Sequence, residues 1–429
     1  MAVRRTTPRP LLVFLVGSLA ACGRTGFGPT DDILEGGADE GPAPMVDPDD
    51  EAGDDRPEPD PELPPPVDME GCGNGIVEEG ELCYLEMVVF PSRIDPCAID
   101  VGDLDGDGHV DIAVPNSDFE HAESADNFAS VLYGDGQGNL SDPSGFLAGG
   151  DFAVGITIAD FDNNDIDDLA ITNSEALEAT VLLGLGERSF GQPRRLSMGP
   201  EPTIAAAGDL NADGNMDLAV TTAGANSVMV ALGFGDGSFA DAVEYQRAMT
   251  PWDVEMLDID NDGALDLLVT DRDYADVEVF WGDGTGALLP GDPIAAGDFP
   301  KGLTVADFNG DGWPDLVTAD IGGATVLINE SEGSFWRSAP IEAGSDPREV
   351  AVADFDNNGS LDLAILASGS EDITFAVDVG DYEYAYADLK EVGTLPSGIR
   401  AADFNEDGVP DLAVSNQLDN TVGLILSNP

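Results

Sequence analysis

Asp103-Leu104-Asp105-Gly106-Asp107-Gly108-His109-Val110-Asp111 runs straight into Ile112-Ala113-Val114. Four carboxylates alternate with small or apolar residues over nine positions, and a short apolar run follows. The same pattern, D-x-[DN]-x-[DN]-[GD]-x-x-D, starts again at Asp160, Asp209, Asp258, Asp307, Asp354 and Asp403, at spacings of 57, 49, 49, 49, 47 and 49 residues. A period of this size marks a repeat architecture, in which each copy is one supersecondary unit.

Repeat three shows what a unit contains. Thr203–Gly208 leads into the acidic loop, Asp217–Thr221 leaves it, and Ser227–Gly233 and Val243–Arg247 follow after polar turns. Short apolar runs separated by Gly, Asp and Asn read as antiparallel strands. Four strands per unit and seven units predict an all-β chain, a seven-bladed β-propeller of four-stranded antiparallel blades over residues 85–429. A solenoid is the competing architecture, but it needs atypical capping repeats, and these copies are alike from first to last. The last repeat stops after its third strand, Thr421–Leu426, while Leu85–Arg93 is an extra strand-like run upstream of the first loop. The expectation is that strand 85–93 completes the seventh blade and closes the ring, since an open ring leaves unpaired edges.

Carboxylates around a tight turn suit Ca²⁺, which takes six to eight oxygens in flexible geometry. An EF-hand begins in the same way but needs Glu at position 12. Here that position holds Val114, Ile171, Val220, Val269, Thr318, Ile365 or Val414, all strand residues. The repeats resemble FG-GAP/VCBS repeats, as in the integrin α-subunit propeller. The turns at 134–140, 184–190, 233–239, 282–288 and 329–335 are similar to the glycine-rich, Phe-containing part of that motif, from which repeat six departs at Val377–Tyr386.

The resemblance implies side-chain ligands at positions 1, 3, 5 and 9 and a backbone carbonyl at position 7. Position 1 is Asp103, Asp160, Asp209, Asp258, Asp307, Asp354 and Asp403; position 3 is Asp105, Asp162, Asn211, Asp260, Asn309, Asp356 and Asn405. Position 5 is Asp107, Asn164, Asp213, Asp262, Asp311, Asn358 and Asp407; position 9 is Asp111, Asp168, Asp217, Asp266, Asp315, Asp362 and Asp411. Position 7 is His109, Ile166, Asn215, Ala264, Trp313, Ser360 and Val409, a set too varied for anything but a backbone role. Up to seven calcium ions are expected. Loop two is expected to bind most weakly, because Asp165 stands where the turn favours Gly. The alternative is a set of acidic turns capped by their own Asx hydrogen bonds.

The chain has 429 residues, 16 basic and 85 acidic, for a net charge of −69. Such a surface repels phosphate backbones, which excludes nucleic acid as a partner, and attracts cations. Arg4, Arg5 and Arg9 precede a short apolar stretch, Leu11–Leu19, which is a signal-peptide pattern too short to span a membrane. Leu19-Ala20-Ala21-Cys22 resembles the bacterial lipobox. That implies a lipoprotein signal over 1–22, acylation of Cys22 and, with Gly23 after it, an outer-membrane anchor in a Gram-negative bacterium. Residues 28–70 hold 16 acidic residues and ten prolines without an aromatic. Nothing there builds a core, so 23–70 is read as a disordered, extended tether.

Cys72-Gly-Asn-Gly-Ile-Val-Glu-Glu-Gly-Glu-Leu-Cys83, within 71–84, resembles the CGNG disulfide motif of myxobacterial surface proteins. In an exported protein Cys72 and Cys83 are candidates for a bridge. Cys97 is then an odd thiol, or pairs with either of the others.

Alternating strands place the blade-to-blade loops and the second hairpin of each blade on the face opposite the acidic loops. That face carries Trp252, Asp253, Asp271, Arg272, Tyr274, Phe299, Lys301, Asp346 and Arg348, candidates for anionic or glycan recognition. No nucleophile elbow and no phosphate loop is present. The sequence therefore reads as a non-enzymatic, monomeric, calcium-stabilised surface lipoprotein that binds a glycan or a cell-surface protein. A structural subunit of an envelope complex is the second reading and a carbohydrate-active enzyme the third.

Overall fold

The computed structural model describes residues 82–117, 128–246, 250–331, 334–380 and 383–428. Cys22, Cys72, the signal and tether segments and most of the loop Pro115–Ser130 lie outside the described residues.

Seven antiparallel sheets follow one another along the chain. Blade three, for example, is Pro202–Gly208, Asp217–Thr222, Ser227–Ala231 and Val243–Gln246, within two residues of the segments read from sequence. Each first strand packs against the first strand of the next blade, and the first strand of blade seven, Pro396–Ala402, packs against that of blade one, Asp100–Gly102. First strands therefore run around the axis, and fourth strands form the rim.

Burial follows this order. The second strand is buried at all six positions in every blade, as in Asp217–Thr222 and Asp362–Ala367. A strand covered on both sheet faces reads as a continuous apolar run rather than an alternating one. The fourth strands are mostly exposed, and blade two blunts its edge with Arg194 and Arg195. Charged edges discourage pairing with other chains.

Proline recurs at both ends of a blade. Pro96, Pro202, Pro251, Pro300, Pro347 and Pro396 stand seven residues before six of the seven loops. Register shifts follow Pro202, Pro251, Pro347 and Pro396, and the same shift follows Ala153 at the equivalent position of blade two, so the irregularity belongs to the repeat and proline is accommodated there. In blade four the fourth strand is broken into Leu288–Pro290 and Ile294–Ala295, both paired with Asp276–Gly282. Blade five is interrupted in the same way, into Ser334–Arg337 and Ile341–Glu342. The four-stranded plan holds in these two blades, with the outer strand in two pieces where Pro290, Pro293 and Pro340 fall. Blade six keeps an unbroken outer strand, Tyr384–Glu391, despite its atypical turn.

The N-terminal strand is Val88–Pro91, shorter than 85–93, and it pairs antiparallel with Thr421–Ile425 as the outer strand of blade seven. Hydrogen bonds extend the contact on both sides. Leu85 N–H donates to Leu426 O and Ser92 N–H to Asn420 O, while Asn428 N–H donates to Cys83 O. Tyr84 stacks on Phe375, ring centroids 5.0 Å apart, and meets Phe355 edge-on at 6.1 Å. Cys83 and Cys97 are both disulfide-bonded, so Cys97 is not a free thiol.

Candidate functional site

Each acidic loop joins the first and second strands of its blade. Two residues per loop are left-handed: position 6, such as Gly108 at φ 92°, and position 4, such as Ala212 at 55° and Glu406 at 57°. Position 6 in loop two is Asp165, at φ 64°, the strained substitution expected from sequence. Position 4 was not singled out in the sequence, although Gly or Asn, which tolerate this region, stands there in five of the seven loops.

The left-handed turns fold the backbone around the position-1 carboxylate. In all seven loops one oxygen accepts the position-5 N–H and the other accepts the position-6 N–H, at 2.8–3.1 Å. The position-5 side chain accepts the position-7 N–H, as Asp107 does from His109 at 2.9 Å. The loops thus make the Asx bonds of the alternative reading, and each carboxylate oxygen keeps lone pairs for a further partner.

Position 9 is built into the blade. These seven aspartates are at most 1% exposed. One oxygen accepts the position-2 N–H. The other accepts an N–H from the end of the third strand or just past it, donated by Gly134, Gly184, Gly233, Gly282, Asn329, Asp378 or Ser427; all lie at 2.6–3.1 Å. Glycine serves here because a Cβ on Gly233 would sit 2.1 Å from the Met216 carbonyl oxygen. Burial, only partly offset by these bonds, raises Asp111, Asp168 and Asp362 to about 7 and Asp217, Asp266, Asp315 and Asp411 to about 6.

Carboxylate oxygens within 4.8 Å of one another are those of Asp103, Asp105 and Asp107 and of Asp258, Asp260 and Asp262, in the two loops with Asp throughout. In loops two and six the converging positions are 1, 3 and 9: Asp160, Asp162 and Asp168, and Asp354, Asp356 and Asp362. Asn211, Asn309 and Asn405 replace the position-3 carboxylate in the other three loops. The donor set is all oxygen, as a hard cation requires.

Two position-7 side chains reach a neighbouring blade. His109 Nδ1 lies 2.6 Å from Glu406 Oε1 of blade seven, and Asn215 Oδ1 accepts from Asn163 Nδ2 of blade two at 2.8 Å.

One partner was missed in the sequence. Arg188, in the outer turn of blade two, reaches loop one with Nε 2.7 Å from Asp105 Oδ2, its guanidinium 4.5 Å from the Tyr133 ring centroid. The two residues are 83 apart, and no spacing rule joins them.

On the opposite face, two candidates are structural. Asp253 is fully buried and accepts N–H groups from Val254 and, across the blade boundary, Leu303, each at 2.7 Å. Asp271 is also buried and accepts from Thr250, Asp273 and Tyr274. Its other oxygen lies with Asp276 and Glu278 in a fifth carboxylate group, whose last two members have further polar partners. Trp252, Arg272, Lys301, Asp346 and Arg348 come together, whereas Tyr274 and Phe299 stand exposed.

The axis carries a charge cluster that the sequence reading did not single out. Arg400 pairs with Glu349 and lies 3.3 Å from Asp100, at 4% exposure. Asp100 also accepts the Ile158 N–H at 3.0 Å and Glu349 the Ile399 N–H at 2.8 Å. These bonds link blades six, seven, one and two in turn.

The FG-GAP-like repeat profile matches residues 160–220, 209–269, 258–318 and 307–365, each window opening at position 1 of a loop. No curated protein matches the chain. Among solved structures, a periplasmic gluconolactonase of Pseudomonas aeruginosa aligns at 15% identity and TM-score 0.53, over 73% of this chain and 97% of that one. A streptogramin B lyase aligns at 16% and 0.52, over 82% and 100%. A BBS1N–ARL6DN complex contributes a chain at 13% and 0.53, over 81% and 97%. At these identities the likeness is one of fold.

Proposed function

We propose that the chain is a non-catalytic recognition module, clamped by calcium on one face and binding its ligand on the other. The observation that carries this is the acidic loop repeated in seven blades, with all-oxygen groups converging within 4.8 Å in four of them. Calcium would supply the positive charge that these carboxylates lack. Positions 1, 3, 5 and 9 would hold it with the position-7 carbonyl. The N-terminal strand acts as the latch of the ring. Acylated Cys22 and the acidic tether hold the propeller away from an outer membrane. The ligand is a glycan or a cell-surface protein.

Capture of the full chain on a glycan and envelope-fraction array, with calcium and with chelator, tests the function. Calcium-dependent, saturable capture is expected. Silence from a folded chain under both conditions contradicts it and favours a scaffold of an envelope complex. Turnover of a captured polysaccharide contradicts the non-catalytic reading.

Arg188 adds a test of the loops. Its guanidinium occupies Asp105, so an ion entering loop one competes with it. Arg188→Ala is expected to raise loop-one affinity severalfold. Terbium luminescence sensitised by the adjacent Tyr133 reads this, with Tyr133→Phe as the control. Unchanged affinity would remove Arg188 from the account.

A further inference from the structure

Blades four, five and six carry Trp252, Lys301 and Arg348 at one repeat position, six residues before the loop, in or just before the first strand. The equivalents in blades one, two, three and seven are Cys97, Val154, Thr203 and Ser397, so the three large polar side chains are local to one sector. The blade-four hairpin adds Arg272. Its guanidinium carbon lies 5.5 Å from the Trp252 ring centroid, and Lys301 Nζ lies 5.9 Å from it, both within cation–π range. Between residues 250 and 350 the sequence has four basic side chains, and three of them meet here.

This cluster is short of negative charge. Lys301 hydrogen-bonds to Asp346, and Arg348 Nε is 3.8 Å from the other oxygen of that same carboxylate, beyond hydrogen-bond reach. The Lys301, Arg348 and Arg272 side chains are 15%, 17% and 20% exposed, while Asp346 is 48% exposed at the rim. Arg348 Nε and Trp252 Nε1 are buried donors with no acceptor among the described residues. Arg272 Nε reaches a second exposed carboxylate, Asp273, at 3.5 Å, while Lys301 and Arg348 share Asp346 alone. Two desolvated cations on one outlying carboxylate call for an anion with acceptors on more than one side. The exposed rings lie close in sequence: Tyr274 is two residues from Arg272, and Phe299 is two residues from Lys301. Exposed rings offer an apolar platform for the C–H face of a sugar.

We propose that Trp252, Arg272, Lys301 and Arg348 form a binding site for a carboxylated saccharide, whose carboxylate takes over the cations that Asp346 now shares. The proposal rests on the recognition reading of this face and names its ligand class. Asp346 acts as a resident counter-ion that the incoming carboxylate displaces.

The test titrates the full chain, with calcium and at physiological ionic strength, with tetragalacturonate, followed by calorimetry and tryptophan fluorescence. The comparison probes are its carboxyl-reduced counterpart, inorganic phosphate and a hexaglutamate peptide. Saturable tetragalacturonate binding is expected, with at least tenfold weaker binding of each comparison probe. Arg348→Gln and Lys301→Met should each weaken it at least tenfold. Asp346→Asn should strengthen it severalfold, an increase that a purely structural Asp346 would not give and that misfolding cannot mimic. Equal binding of the carboxyl-reduced sugar overturns the role of the carboxylate. Phosphate or peptide binding as tightly overturns the saccharide class. An Asp346→Asn chain that binds no better overturns the counter-ion role. If all four probes fail while the chain is still captured from envelope fractions, this inference is overturned and the recognition reading stands. If that capture fails too, both fall.

Discussion

Tyr84→Ala is expected to lower stability by about 3–5 kcal/mol, the usual cost of emptying a buried aromatic site. The ring stacks on Phe375 and meets Phe355 edge-on, and those two rings lie 5.5 Å apart in their own edge-on contact. Its hydroxyl donates to the Pro410 carbonyl, 326 residues away in sequence. Tyr84 thus pins the segment that enters Val88–Pro91 against blades six and seven. A cavity there frees the N-terminal strand, and Thr421–Ile425 then becomes an uncovered edge. Tyr84→Phe keeps the packing and loses only the hydroxyl bond, worth about 1 kcal/mol. Thermal denaturation should therefore rank wild type, Tyr84→Phe and Tyr84→Ala in that order, the last well separated. A Tyr84→Ala chain that melts with wild type would mean that the N-terminal strand is not the latch.

Arg400→Ala is the second large effect. Removing one partner of a buried ion pair strands the other charge, at a cost of about 3–5 kcal/mol. Here two carboxylates, Glu349 and Asp100, lose their partner, and the seam between blades seven and one loses a side-chain tie. Glu349→Gln in the same chain should recover part of the loss. The axis also sets a pH dependence. Burial raises Glu349 to about 7 and raises Asp100 and Glu255 as well, with Arg400 pulling all three back. The folded chain thus keeps protons that the unfolded chain releases near 4–4.5. The contribution of these groups is complete below that range. It is lost as pH rises through about 7, because the folded state then binds more protons than the unfolded one. Glu255 has a buried oxygen without a hydrogen bond, so Glu255→Gln should raise the melting temperature at pH 8 and barely change it at pH 5. An equal change at both values would show that ionisation is not what the axis resists.

What all blades share was legible in the sequence. Loop spacing and the strand segments of each unit follow from periodicity and composition, because every copy repeats the same packing problem. What differs between blades was not. Arg188 meets Asp105, and Arg400 meets Asp100 at a separation of 300 residues, only after the ring has formed. Ala212 and Glu406 take left-handed conformations that neither side chain favours, because the loop bonds around them over-determine the turn. The oxygens of Asp111 were expected to converge with those of Asp103, Asp105 and Asp107. Its oxygens are tied to the Leu104 and Gly134 N–H groups, as those of Asp168 and Asp362 are to their own two N–H groups while still converging with positions 1 and 3, a double commitment that spacing does not reveal.

The central claim is that the acidic loops hold calcium and that the fold depends on it. One measurement tests it directly: the calcium content of the dialysed full chain, followed by its melting temperature before and after chelation. An ion that binds only the folded state adds about 2.7 kcal/mol per site at a hundredfold excess over its dissociation constant. The account predicts several bound calcium ions per chain, fewer than seven if loop two is empty, and a large fall in melting temperature on chelation that added calcium reverses. A folded chain with no bound calcium, melting at the same temperature in chelator, would contradict it and leave the loops as turns closed by their own hydrogen bonds.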